Sequence, residues 1–225
     1  SVVGCPDALQ DRATIAAVGL GELPSAIETV ILVTADVCLD ESLCARVAQE
    51  VASNPDCDLI YFDEDRVLPH EALFSGTVAA HADPIFKSDF DPERLLASDY
   101  IGGVVAVRKS FLGVTKAGFG LGLPDLLALG LIDTPERVSH IPRVLFSATS
   151  HRKVDVAQRR NGIEAYMAQK GKPVRLAPVC DILGAASETS STVLWPVDQD
   201  AVATIIIPTR DRLDLLKPCL DSLLA

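Results

Sequence analysis

Positive charge is scarce in this chain: its 225 residues hold 20 Lys+Arg against 31 Asp+Glu, a formal net charge of −11. A surface of that sign repels polyanions and anionic membranes unless a local patch reverses it, which argues against nucleic acid as a partner. Long apolar runs are missing as well. Residues 30–33, 101–107 and 205–207 are strand-length, far short of the roughly 18 to 20 residues of a membrane span. Residues 1–23 have no basic stretch ahead of an apolar one and carry Asp7, Asp11 and Glu22, so no signal peptide is expected. The six cysteines (Cys5, Cys38, Cys44, Cys57, Cys180, Cys219) contain no C-x-x-C pair and have no histidine at zinc-finger distance. Free thiols in a reducing cytosol fit that pattern better than a disulfide framework or a structural zinc.

What is present is a globular composition, 48% hydrophobic and 23% charged, far from that of a disordered chain. The length suits one large α/β domain, or one and a half smaller ones. Residues 28–34 form a β-branched apolar run, the mark of a buried strand in a largely parallel sheet. Asp40 is placed to cap a helix in which Leu43, Cys44, Val47, Ala48 and Val51 recur at three- and four-residue spacing, and Asn54-Pro55 closes it. A strand over residues 58–62 runs into Asp63-Glu64-Asp65. Carboxylates at the ends of two strands would then share one edge of the sheet, where open α/β folds bind ligands.

Residues 68–90 read as loop. Asp91-Pro92-Glu93 is a helix start, with a capping acid, proline at the first helical position and an acid in the first turn. A strand over 101–107 follows, in which Gly102-Gly103 permits close approach of another group. A glycine-punctuated loop (Gly118, Gly120, Gly122) leads to a short buried helix over 125–131. Residues 138–145 form a strand broken by Pro142, residues 156–170 a helix stopped by Gly171, and residues 173–179 an edge strand. The Ser/Thr/Ala-rich segment 181–202 reads as a linker. A new strand at 203–207 and a helix capped near Asp214 then begin a βα unit that cannot bury both faces by itself.

Three segments resemble family 2 glycosyltransferases of the GT-A type, in particular the tandem-domain proteins of bacterial surface polysaccharide synthesis. They are Tyr61-Phe62-Asp63-Glu64-Asp65-Arg66, the stretch from Phe86-Lys87-Ser88-Asp89-Phe90-Asp91-Pro92-Glu93 to Asp99-Tyr100-Ile101-Gly102, and His140-Ile141-Pro142-Arg143-Val144-Leu145. A fourth, Ile205-Ile206-Ile207-Pro208-Thr209-Arg210-Asp211, resembles the opening strand of such a domain. The resemblance implies a GT-A-like α/β fold with a mostly parallel sheet flanked by helices. It also implies an acceptor-side partial domain over 1–180, incomplete at its N-terminal side, and the first βα unit of a second domain over 203–225, as in an internal piece of a longer protein.

Sugar transfer from a nucleotide sugar to a glycan or lipid-linked glycan, with inversion, follows as the implied activity. Such transfer uses a divalent metal, Mn²⁺ or Mg²⁺, to neutralise the departing diphosphate, and an acid as base on the acceptor hydroxyl. The resemblance points to Asp36, Asp63 and Asp65 for the metal, Asp125 for the base, and Lys87, Asp89, Asp99 and Tyr100 for the acceptor. Thr209, Arg210 and Asp211 correspond to a donor loop of the second domain. Two family positions are altered: only Asp36 remains of the first acidic cluster, and Leu123 stands where the base is expected. Those losses equally suit a non-catalytic glycan-binding or scaffolding module. The resemblance places the protein in the cytoplasm, with His151-Arg152-Lys153 a candidate contact to a phosphorylated lipid carrier at the inner membrane face.

Overall fold

The apolar runs within residues 28–34 and 101–107 yield strands, but their directions differ from a parallel sheet. The structure is a computed structural model that describes residues 26–33, 37–67, 81–112, 119–148, 154–180, 186–197, 200 and 202–224. Asp36, Gly118, the loop reading for 68–80 and the basic patch at 151–153 lie outside these. The chain divides into two units, residues 1–195 and 196–225.

In the first unit, β1 (Thr29–Val33), β5 (Val104–Arg108), β3 (Leu59–Val67), β6 (Val138–Ala148) and β2 (Val37–Leu39) lie side by side in that order, and β4 (His81–Ile85) also pairs with β3. Among the described strands only β3 and β6 are parallel. The other four pairings of this sheet are antiparallel, so the expected mostly parallel sheet is a mixed one. A continuous apolar run reports burial on both faces of a strand and says nothing of its direction, which is why the sequence misleads here. β1 and β3 both run against β5, and β6 runs with β3. The three therefore point the same way, and their C-terminal ends share one edge as expected.

Alternation along β3 and β5 separates two cores. Leu59, Tyr61, Val105 and Val107 pack with Leu95 and Leu96 of α2 (Pro92–Ala97), Leu127 and Leu129 of α4 (Leu123–Gly130), and Ile163 and Met167 of α5 (Val156–Gln169). Ile60, Phe62, Val104 and Ala106 pack with Leu43 and Val47 of α1 (Leu43–Ser53). Each fully buried aliphatic or aromatic chain contributes roughly 1.5–3 kcal/mol, so both faces of β3 are committed to packing before the strand reaches its acids.

The helix starts are local. Asp91 caps α2 by accepting from the N–H groups of Glu93 and Arg94, with Pro92 opening the helix. Asp155 caps α5 through Gln158, and Gly171 with φ +74° follows its end. Asp40 acts one step earlier than expected. Its carboxylate accepts from the Ser42 N–H at 2.8 Å, turning the chain into α1, for which Ser42 holds the cap position. A short helix α3 (Lys109–Leu112) extends β5.

At the N-terminal end of β3, Arg108 gathers the carbonyls of Pro55 and Cys57 and pairs with buried Asp58, whose other oxygen meets Arg137.

Three further segments depart from expectation. Residues 81–85, read as loop, form β4 despite Pro84, because an edge position leaves the missing N–H without a required partner. Residues 186–194, read as linker, form β8 (Ala186–Leu194) in an antiparallel hairpin with β7 (Arg175–Cys180). In the second unit residues 202–209 form neither strand nor helix, and Ile206 is 87% exposed. The apolar run there has the composition of a strand, but among the described residues it joins no ladder. Helix α6 (Leu213–Leu224) forms as expected, its start braced by Arg212 on Asp214.

Candidate functional site

The acids Asp63, Glu64 and Asp65 lie inside β3, not after it. Asp63 and Asp65 fall at alternate positions and are buried, whereas Glu64 is half-buried. Each finds a partner from a distant segment. One Asp63 oxygen accepts from the Lys87 backbone N–H and from His140 Nε2, both at 2.9 Å. That bond makes Nε2 the donor to the carboxylate and leaves Nδ1 as the ring's other face, 3.6 Å from Asp89. The imidazole stacks on Tyr61 at 4.7 Å with an interplanar angle of 10°. Tyr61 in turn donates to the Ser88 carbonyl at 2.6 Å and meets Tyr100 edge-on. Asp65 pairs with His81 Nδ1 at 2.8 Å through one oxygen, while its other oxygen is buried with no hydrogen-bond partner among the described residues.

Lys87 enters the same cluster from the side. Its ammonium, in a side chain 2% exposed, donates to Glu64 at 2.8 Å and to the Ile101 carbonyl at 2.9 Å. Gly102, with φ +93°, makes the room: a Cβ there would stand 2.6 Å from both the Lys87 ammonium and a Glu64 oxygen. Pro142 is accommodated by a bulge. Phe62 pairs with Ile141 but Asp63 with Val144, so Pro142 and Arg143 drop out of the ladder without interrupting β6. The segments at 61–65, 87–89, 100–102 and 140 thus close into one hydrogen-bonded cluster at a single edge of the sheet.

The chain is similar to an O-antigen biosynthesis protein. It is 28% identical over 200 residues to O-antigen biosynthesis protein RfbC of Myxococcus xanthus, across 85% of this chain and 15% of that protein. It is 30% identical over 213 residues to the uncharacterized protein y4gI of Sinorhizobium fredii (strain NBRC 101917 / NGR234), across 87% of this chain and 22% of that protein. The chain therefore spans less than a quarter of the length of either relative. No protein-family model matches it. Among solved structures it is similar to mannosyl-3-phosphoglycerate synthase from Rubrobacter xylanophilus, with a TM-score of 0.37 and 12% identity over 74% of this chain and 58% of that one.

The sequence-derived residues separate on inspection. Lys87 and Tyr100 do not line an open groove, because Lys87 is enclosed as above and Tyr100 is buried beneath Arg94, whose guanidinium lies 4.8 Å from its ring. Burial rather than solvent contact fixes both: the Tyr100 hydroxyl accepts from the Asp91 N–H at 2.9 Å. Asp99 is half-buried, and Asp89 is fully exposed. Asp125 sits in the first turn of α4, buried, with both oxygens 3.2 Å from the Arg159 guanidinium. Arg159 also donates to the carbonyls of Leu95, Leu96 and Ser98. Thr209, Arg210 and Asp211 lie exposed in the second unit.

Three participants escaped the sequence reading: Arg159, His81 and the pairing of Glu64 with Lys87. For Arg159 a signal existed. Stepping back four residues from Met167 to Ile163 and four again reaches Arg159, which places it on the buried stripe of α5.

Burial pushes the Tyr61 and Tyr100 hydroxyls above their ordinary value near 10, and it pushes the Cys57 thiol from 9.0 up to about 11. On raising the pH the unfolded chain loses these protons first. Stability is therefore complete below pH ~9 and declines through the Cys57 window up to about 11, with the tyrosines adding loss above pH ~10. Urea midpoints measured from pH 8 upward should fall in that window, and Cys57→Ala should flatten the part between 9 and 11. A midpoint unchanged to pH 11 would contradict the burial of these groups.

Proposed function

We propose that this chain is the acceptor-side part of a family 2 glycosyltransferase-like domain that works in assembling a bacterial cell-surface polysaccharide, with a sugar passing from a nucleotide sugar to a glycan or lipid-linked glycan. The observation that carries this reading is the convergence of the three family-like segments: 61–66, 86–102 and 140–145 meet in the single cluster built on Asp63, Lys87 and His140. The similarity to O-antigen biosynthesis protein RfbC supports the polysaccharide context.

For the metal, the unpartnered oxygen of Asp65 suits a cation. Yet among the described residues no three His, Cys, Asp or Glu side chains gather to hold one, so Asp63 and Asp65 do not compose a cation site by themselves. Proton abstraction from the acceptor is likewise poorly served. Leu123 has no proton acceptor, and the Asp125 oxygens are spent on Arg159. Residues 203–225 are the start of a second, similar domain in this reading, carrying Thr209, Arg210 and Asp211 toward a donor nucleotide. The state of Asp125 also favours a second reading, in which this domain only binds or orients the glycan for a catalytic neighbour. Among the described residues no helix is long and apolar enough to cross a membrane.

Calorimetric titration of the full-length protein with nucleoside diphosphate sugars, with and without Mn²⁺, separates the two. Metal-dependent binding that Asp36→Ala abolishes supports transfer at this domain. Saccharide binding with no response to nucleotide or metal would overturn it and leave the glycan-binding module.

A further inference from the structure

We infer that an exposed strip made by Trp195, Glu93, Arg94, Ser88 and Asp89 binds a neutral saccharide, the acceptor of the reading above, on which this inference rests. Trp195 is 41% exposed, yet its ring is held: the indole N–H donates to both Glu93 oxygens, at 3.0 and 3.2 Å. Glu93 is fixed in turn by the first turn of α2. Trp195 directly follows β8, which is tied to the end of α2 by the Ser98–Ser190 bridge. An aromatic face kept in one orientation at the surface costs little further ordering when the C–H face of a sugar ring stacks on it.

The polar groups that continue from Glu93, at the start of α2 and in the segment before it, match what hydroxyls require. Arg94 is spread over Tyr100 and donates to the Ser88 hydroxyl at 2.9 Å, so its remaining N–H groups are presented in a fixed plane. Asp89 is fully exposed, and the Glu93 carboxylate accepts a single N–H from the indole, which leaves both carboxylates with capacity for further donors. A sugar hydroxyl both donates and accepts, and it finds both partners along this strip. Two carboxylates against one guanidinium, on a chain of net charge −11, disfavour phosphorylated or uronic acid ligands and select neutral ones. Asp89 also joins the strip to the buried cluster, since its oxygen lies 3.6 Å from His140 Nδ1.

Trp195 is the only tryptophan in the chain, so its fluorescence reads the strip directly. The intact chain is titrated with mannotriose and N,N′,N″-triacetylchitotriose as neutral probes and with trigalacturonate as an anionic probe of equal length. A saturable emission change with a neutral trisaccharide, at least ~5-fold weaker for trigalacturonate, is the expected result. Trp195→Phe and Asp89→Ala should each weaken calorimetric binding by roughly 5- to 10-fold, while the melting temperature stays within a few degrees. Absence of a saturable response to either neutral probe, tighter binding of the anionic one, or affinity undiminished in both variants overturns the strip. Metal-dependent nucleotide sugar binding is read separately, so its persistence alongside such a failure removes only this inference. Its loss with saccharide binding intact removes the transferase reading instead.

Discussion

Arg159→Ala is expected to lower the unfolding free energy by about 3–5 kcal/mol, the usual cost of stripping one partner from a buried ion pair. The guanidinium does two jobs. It neutralises Asp125 through two parallel contacts at 3.2 Å, and it satisfies the carbonyls at the end of α2, with Leu95 at 2.6 Å and Ser98 at 3.1 Å. Alanine leaves a buried carboxylate and several carbonyls without donors, each with a desolvation penalty. Lysine offers one point charge in place of a planar fork, so Arg159→Lys should recover only part of the loss. The pair Asp125→Leu with Arg159→Met removes both charges together and should come out substantially more stable than Arg159→Ala alone. Urea denaturation of the three variants tests this, and a loss below about 1 kcal/mol in Arg159→Ala would show that the pair is solvated after all. The same series bears on function. If Asp125 serves only to seat Arg159 and join α2, α4 and α5, Asp125→Asn affects stability far more than any saccharide or nucleotide binding.

Gly102→Ala is the second large effect, with an expected loss of about 2–4 kcal/mol. Two causes add. The backbone holds φ +93°, a conformation that side chains disfavour, and the new Cβ falls 2.6 Å from the Lys87 ammonium and from Glu64. The Lys87–Glu64 pair has nowhere to retreat, because the ammonium is also bound to the Ile101 carbonyl and Lys87 lies against the Phe146 ring. Repeating Gly102→Ala in a Lys87→Met, Glu64→Gln background separates the causes. The steric part should relax as the paired charges go, and the backbone part should remain. If the loss were identical in both backgrounds, the cluster would not be what requires glycine at this position.

Much of the helical framework was legible because its signals are local. Asp91-Pro92-Glu93 opens α2 as read, and Gly171 follows the end of α5 as read. Where the reading failed, it failed on features that depend on a neighbour. Residues 186–194 are polar enough to look like a linker, and only the facing strand β7 makes them a strand. Residues 203–207 have a strand's composition and form none among the described residues, because a strand needs a pairing edge that composition does not supply. Lys87 looked like a groove residue because lysine is rarely buried unless paired, and its partner Glu64 lies 23 positions earlier.

The candidate site divides along the same line. That Asp63 and Asp65 fall on one side of a strand follows from the two-residue period and needs no tertiary structure. Which of them is spent on an internal partner does not. Asp63 is engaged by His140 from 77 residues away, and Asp125 by Arg159 from 34. The sequence alone determined the sign of the surface charge, the lengths of the apolar runs and the signals that open α2 and close α5, since these depend on composition and on contacts within a few residues. Tertiary structure alone decided the strand directions, the enclosure of Lys87 and the choice of exposed acids, Asp89 and Glu93 among them. A charge is worth burying only against a partner that the folded chain brings within hydrogen-bond reach.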